Sequence, residues 1–179
     1  PIALAGARAV RDRGRKPYLE FAPRGWQTEL PSDKNSGWSV DSVVNAEREK
    51  WEIFCRNAAG AGPLGFSHEA PDLTVIRNRN AHNVHISFAY VLSLAAHMKE
   101  SISVLDYGGA LGHYYIIAKA TLPHLEIDYS VKEVPLMADA GRELNPEVHW
   151  YDDDSFLERS YDVVMMNGST PYLPDWKEQ

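Results

Sequence analysis

The sequence predicts an α/β protein with a Rossmann-like, doubly wound and mainly parallel sheet, preceded by an N-terminal helical extension. Three observations carry that expectation. From residue 101 onward, short apolar runs alternate with segments of helical period. A glycine-rich turn stands between the first apolar run and the helix that follows it. Between residues 39 and 100, apolar residues recur at helical spacing.

The elements follow in order. Residues 1–38 mix Pro, Gly, Arg and Trp without periodicity and read as arm and loop. Arg8, Arg11, Arg13, Arg15 and Lys16 cluster there against Asp12 alone, either as a solvated arm or as a contact for an anionic surface or substrate. Residues 39–100 read as a helical extension packing on the sheet. Asp41 looks like a helix N-cap. Val43, Val44, Trp51, Phe54 and Cys55 form an apolar face, and Gly60 ends the helix. The segment GAGPLG (60–65) contains proline and follows no strand, so it reads as a turn and not as a phosphate cradle. A second helix is written in 82–98, with Val84, Phe88, Val91, Leu92 and Ala95 on one stripe.

Residues 101–179 read as a Rossmann-like half-domain. SISVLDYGG gives a buried strand running into a glycine turn, and HYYIIAKATL gives a helix. A strand follows at 125–134, and then a helix with Pro135 in its first turn. Strands at 147–151 and 161–167 complete the series. The run VVMM in the last suits a central strand covered on both faces. Parallel sheets of this kind bind ligands beyond the carboxyl ends of their strands, here just after residues 105, 132, 151 and 166.

The bulk properties exclude several classes. A net charge of −7 argues against nucleic-acid binding, which needs a basic face. The single cysteine, Cys55, rules out an internal disulfide and reads as a buried, inert thiol. No apolar run has membrane-spanning length. The basic block of the N-terminus follows its apolar stretch, the reverse of a secretory signal, so a cytoplasmic location is expected. The first residue is proline, which suggests a fragment or a processed product.

The segment VLDYGGALGHYY (104–115) carries the chemistry. Asp106 ends the strand. Gly108 and Gly109 permit a tight turn, and Gly112 lets the next helix approach the sheet, leaving backbone N–H groups open to a nucleotide-like ligand. The dinucleotide pattern G-x-G-x-x-G does not fit. The spacing is similar to the acid-x-G-x-G-x-G pattern of S-adenosylmethionine-dependent methyltransferases, read as Asp106, Gly108, Ala110 and Gly112, with Ala110 in place of the middle glycine. Glu133 stands where a carboxylate accepts both ribose hydroxyl protons, and Asp128 competes for that role. After the third strand, Asp152 and Asp153 could accept from an adenine amine, or Asp154 or Ser155 could cap a helix there. Asn167, Ser169 and Tyr172 follow the fourth strand, at the loop that would face the reacting group, with Pro171 and Pro174 shaping it. His113 opens the helix after the turn and is either a general base beside the donor or a solvent-facing first-turn residue. His82 and His85 lie one turn apart without a matching third ligand, and no metal site is expected.

The segments HNVHISFAYVLSLA, VLDYGGALGHYY, VKEVPLMADAGREL and MMNGSTPYLPDW together resemble the methyltransferases of the LIC12133 family over residues 36–179. The resemblance implies a class I methyltransferase fold and S-adenosyl-L-methionine as methyl donor. It does not settle the acceptor; a small molecule or saccharide precursor is expected, since such proteins often occur with polysaccharide and cell-surface biosynthesis. It also implies a sheet of order 3-2-1-4-5-7-6, whose last three strands would lie beyond Gln179. The fourth strand would then be a bare apolar edge, expected to be covered by a missing C-terminal segment or by a second copy in a homo-oligomer. The competing readings are a nicotinamide-dependent oxidoreductase or sugar-nucleotide modifier, and a non-catalytic Rossmann-like module for partner binding.

Overall fold

Helix α1 (Asp41–Ala59) buries Val44, Trp51, Phe54 and Ala58 along one face and closes just before Gly60. Glu47 lies buried on that same apolar face. The computed structural model from which this is read describes residues 41–170 apart from 71, 75 and 76. The expected arm at 1–38, and Pro171, Tyr172 and Pro174, lie outside the described residues.

Helix α2 (Arg79–Ala95) begins three residues earlier than its apolar pattern suggests. Its N-cap is Asn78, whose side-chain oxygen accepts from the N–H groups of Asn80 and Ala81 at 3.0 and 3.1 Å. Phe88 and Leu92 of the expected stripe turn inward, whereas Val84 and Val91 are exposed. His85 takes the inner position instead. The buried line 85-88-92 is a proper helical stripe, and the His85 ring meets its polar need at the Leu64 carbonyl, 2.9 Å from Nδ1.

The sheet holds β1 (Ser101–Tyr107), β2 (Glu126–Lys132), β3 (His149–Tyr151) and β4 (Val163–Met165). Helix α3 (His113–Thr121) joins β1 to β2, and α4 (Pro135–Leu144) joins β2 to β3. A 3-10 turn (Asp154–Glu158) leads on to β4. All pairings are parallel and the order is β3-β2-β1-β4, an α/β Rossmann-like arrangement. Winding runs outward from β1 through β2 to β3 and then returns to the other side of β1. The switch point therefore falls between β1 and β4.

Strand β4 lies at the edge of the sheet among the described residues, as expected for the fourth strand of this chain, but it is shorter than 161–167 and is not covered on both faces. Val163 and Met165 pack against the core, while Val164 between them is 58% exposed. The continuous apolar run thus follows strand alternation, with one face buried. Asp162 sets its register by accepting from the Ser103 N–H at 2.9 Å and pairing with Lys99 at 2.6 Å.

The core joins both parts of the chain. Phe54 of α1 and Leu92 of α2 share one cluster with Ile102 and Val104 of β1, Ile117 of α3, and Tyr129 and Val131 of β2. Helix α4 meets β3 through Gly141. A Cβ there would lie 2.3 Å from the Trp150 ring, so the indole rests directly on the helix backbone. Among the described residues, no helix is long and apolar enough to cross a membrane.

Candidate functional site

After β1 the chain makes its tight turn through three left-handed residues: Gly108 (φ 77), Ala110 (φ 51) and Gly112 (φ 77). The Gly108 N–H donates to the Lys132 carbonyl at 2.8 Å, which pins the turn to the end of β2. Ala110 carries a side chain where the backbone favours glycine, at a cost of about 1–2 kcal/mol. Glu133 compensates. Its Oε1 accepts the Ala110 N–H at 2.9 Å, and its Oε2 accepts the Val134 N–H at 2.8 Å.

A cavity of about 280 Å³ opens at this point. Its wall combines Asp106 and Tyr107 at the end of β1, the turn Gly108–Ala110, Lys132 to Val134 after β2, and Asn167 to Ser169 after β4. It therefore occupies the crevice at the carboxyl ends of the strands, at the switch point. Asp106, Gly108, Gly109, Ala110, Glu133 and Asn167 all meet there.

Other sequence candidates are placed elsewhere. Gly112 is not on the cavity wall; it sits behind the turn, where an added Cβ would be 2.7 Å from Asn145 Nδ2. Asp152 lies near Arg142, 3.5 Å away. Asp153 caps the 3-10 turn, accepting from the Ser155 N–H at 3.0 Å, so the capping role falls one residue earlier than Asp154. Neither Asp152 nor Asp153 lines the cavity. Asp128 pairs with Arg159, away from the cavity.

His113 corrects both expectations made for it. It neither lines the cavity nor faces solvent: it is 1% exposed, with its ring packed against Trp51, Phe54 and His68. The position after Gly112 points its side chain at α1, not at the ligand crevice. Burial holds its pKa well below the ordinary histidine value. The histidine on the cavity wall is His68, in the loop after α1, and Glu69 beside it also lines the cavity. Tyr114 is a further lining residue that periodicity did not single out; its hydroxyl meets Asn167 Nδ2 at 2.5 Å. No local pattern marks a loop histidine such as His68, because only the tertiary fold brings it to the strand ends.

The electrostatics of the cavity are set by burial. Asp106 is pushed up to about 7, chiefly by burial, with the Tyr129 hydroxyl at 3.0 Å pulling the other way and Glu133 adding repulsion. Burial also raises Glu133, against the two backbone N–H groups it accepts. Tyr114 is pushed up to about 12, again chiefly by burial.

Behind the wall lies a cluster of Glu47, His68 and His113, whose ligand-type atoms fall within 4.8 Å of one another. Glu47 Oε2 is 3.0 Å from His68 Nδ1 and 3.6 Å from His113 Nε2, and Lys50 Nζ holds Oε1 at 3.0 Å. The two imidazoles are stacked, 4.1 Å apart and inclined by 15°. Lone pairs in parallel ring planes run side by side and do not converge on one ion, so this geometry suits hydrogen bonding better than coordination. His82 and His85 take no part in this cluster.

No protein-family model matches the chain, and no curated protein sequence matches it. Among solved structures, it is similar to a candidate sarcosine dimethylglycine methyltransferase from Galdieria sulphuraria, at 17% identity and a TM-score of 0.38 over 67% of this chain and 47% of that one. It is similar to the plantazolicin methyltransferase BpumL in complex with SAH, at 18% identity and 0.35, over 66% of this chain and 49% of that one. It is also similar to the mitomycin 7-O-methyltransferase MmcR, at 20% identity and 0.33, over 73% and 42%. The chain spans less than half the length of each of these structures.

Proposed function

We propose that this chain forms the donor-binding part of a class I S-adenosylmethionine-dependent methyltransferase, of the kind found in the LIC12133 family, acting on a small-molecule or saccharide acceptor. The observation that carries this reading is the Glu133–Ala110 hydrogen bond, which sets an acid at the end of β2 against the glycine turn at the end of β1. The residues fit the donor. Each Glu133 oxygen takes one backbone N–H and keeps a further lone pair for a ribose hydroxyl. The turn at Gly108 and Gly109 presents bare main chain to the cavity. When bound, the donor supplies a methyl group activated by its sulfonium charge.

The chain's own residues then align the partners and exclude water. Glu133 fixes the ribose. Asn167 and Ser169, on the loop after β4, border the space left for an acceptor. Calorimetry with S-adenosylhomocysteine and with NAD tests the proposal. Micromolar binding of the first and none of the second is expected, and the reverse result would defeat it.

A further inference from the structure

We propose that His68, oriented by Glu47, takes the proton from a hydroxyl acceptor in this cavity, so that the reaction is an O-methylation; this rests on the methyltransferase reading above.

Among the described residues, His68 supplies the imidazole of the cavity wall. Its Nδ1 lies 3.0 Å from Glu47 Oε2. An ionised carboxylate can only accept, so the proton of the neutral ring resides on Nδ1 and the lone pair on Nε2. With Nδ1 engaged, Nε2 is the nitrogen left to meet a ligand. Glu47 is 6% exposed, and burial alone would raise its pKa, but the bonds from His68 and Lys50 outweigh burial and hold it ionised.

The arrangement is rigid. Lys50 binds the second Glu47 oxygen and also donates to the His68 carbonyl, so α1 grips both the ring and the main chain of His68. The buried His113 ring stacks on one face of His68 and blocks rotation from that side. Charged groups near the ring include Glu47 and Lys50 from α1, Glu69 from its own loop and Glu133 after β2, with His113 of α3 kept neutral by burial. A carboxylate behind Nδ1 stabilises the imidazolium that proton uptake creates, as in other orienting acid–histidine pairs.

A base of this kind points to oxygen as the attacked atom. A neutral amine attacks with its own lone pair, whereas a hydroxyl is a weak nucleophile until its proton can leave. In the step, the hydroxyl oxygen bonds to the methyl carbon as the carbon–sulfur bond breaks. The bonding pair stays on sulfur, which becomes a neutral thioether, and the hydroxyl proton passes to His68 Nε2.

The test uses the full chain labelled with 15N-histidine. Multiple-bond 1H–15N spectra should show His68 as the Nδ1–H tautomer. Its unprotonated Nε2 should respond to added S-adenosylhomocysteine while His113 does not. Glu47→Gln should erode the tautomer preference. His68→Gln should bind S-adenosylhomocysteine within about threefold of wild type yet lose about 100-fold in radiolabelled methyl transfer to the hydroxyl acceptors of a panel of sugars, phenols and amines. An Nε2–H tautomer, methyl incorporation at nitrogen, or undiminished turnover in His68→Gln each overturns the proposal while leaving donor binding intact. Failure of the folded wild type to bind S-adenosylhomocysteine removes the methyltransferase reading itself, and this inference with it.

Discussion

The Glu133 carboxylate accepts the Ala110 N–H at 2.9 Å, which ties the end of β2 to a residue held at φ 51 in the turn after β1. One side chain thus both supports the strained turn and faces the cavity. Glu133→Ala removes two charge-assisted backbone bonds that hold the turn, together with the proposed ribose acceptor. A hydrogen bond from a ribose hydroxyl to the carboxylate is worth about 1.5–3 kcal/mol, so affinity for S-adenosylhomocysteine should fall roughly tenfold to 100-fold. Calorimetry on the folded variant measures this, and unchanged affinity would remove Glu133 from the site.

Gly108 allows a paired test of the turn. It has φ 77, and a Cβ there would lie 2.6 Å from Ser169 Cβ, pressing the turn against the loop after β4. Gly168 has the same φ, but nothing lies within 4 Å of its Cβ position. Gly168→Ala should therefore lose only the left-handed penalty of about 1–2 kcal/mol in stability. Gly108→Val should abolish measurable donor binding, because the two walls of the cavity must separate. Equal binding by both variants would show that close approach at Gly108 is not needed.

Much of this site was legible because its geometry is local. A strand, a turn rich in glycine and a helix are consecutive, so Asp106, Gly108, Gly109 and Ala110 could be placed on the cavity wall from spacing alone. Glu133 followed from a single crossover. The parts that were not legible depend on contacts between distant segments. The inner side of α2 belongs to His85 and not Val84, because a buried carbonyl at Leu64 offers the ring a partner. The sequence leaves His113 either beside the donor or facing solvent, but α1 packs over it, and α1 lies more than fifty residues earlier in the chain. His68 reaches the wall through the same packing. The β4 run suits a strand covered on both faces, yet Val164 is exposed, since apolar residues in sequence do not reveal what packs on each face.

Gly141 separates stability from binding. Its α-carbon faces the Trp150 ring so closely that a Cβ would lie 2.3 Å away. The ring is held by its own N–H, which donates to the Asn145 carbonyl at 3.1 Å. Gly141→Ala should force Trp150 off α4 and cost about 1–3 kcal/mol through overpacking, despite the better helix propensity of alanine. Urea unfolding should show a lower midpoint. Donor affinity measured below the transition should stay within about threefold, since neither residue lines the cavity.

Asp106 should give the fold a measurable pH dependence. Its pKa is 3.8 when unfolded and is pushed up to about 7 in the fold, chiefly by burial. Between these values the folded chain holds a proton that the unfolded chain has lost. The contribution is therefore fully present below about pH 4 and is lost as pH rises through about 7. The span corresponds to a loss on the order of 4 kcal/mol. His113 has the opposite sign: burial lowers its pKa, so its contribution is present above 6.5 and is lost as pH falls below that value. Asp106→Asn should remove the first slope and His113→Phe the second. Stability measured by urea unfolding at pH 4.5, 6 and 7.5 separates them. The stability of wild type relative to Asp106→Asn should fall with rising pH, and relative to His113→Phe it should rise. A flat difference for Asp106→Asn would mean that the carboxyl is already ionised in the fold, held by the Tyr129 hydroxyl more strongly than burial opposes it.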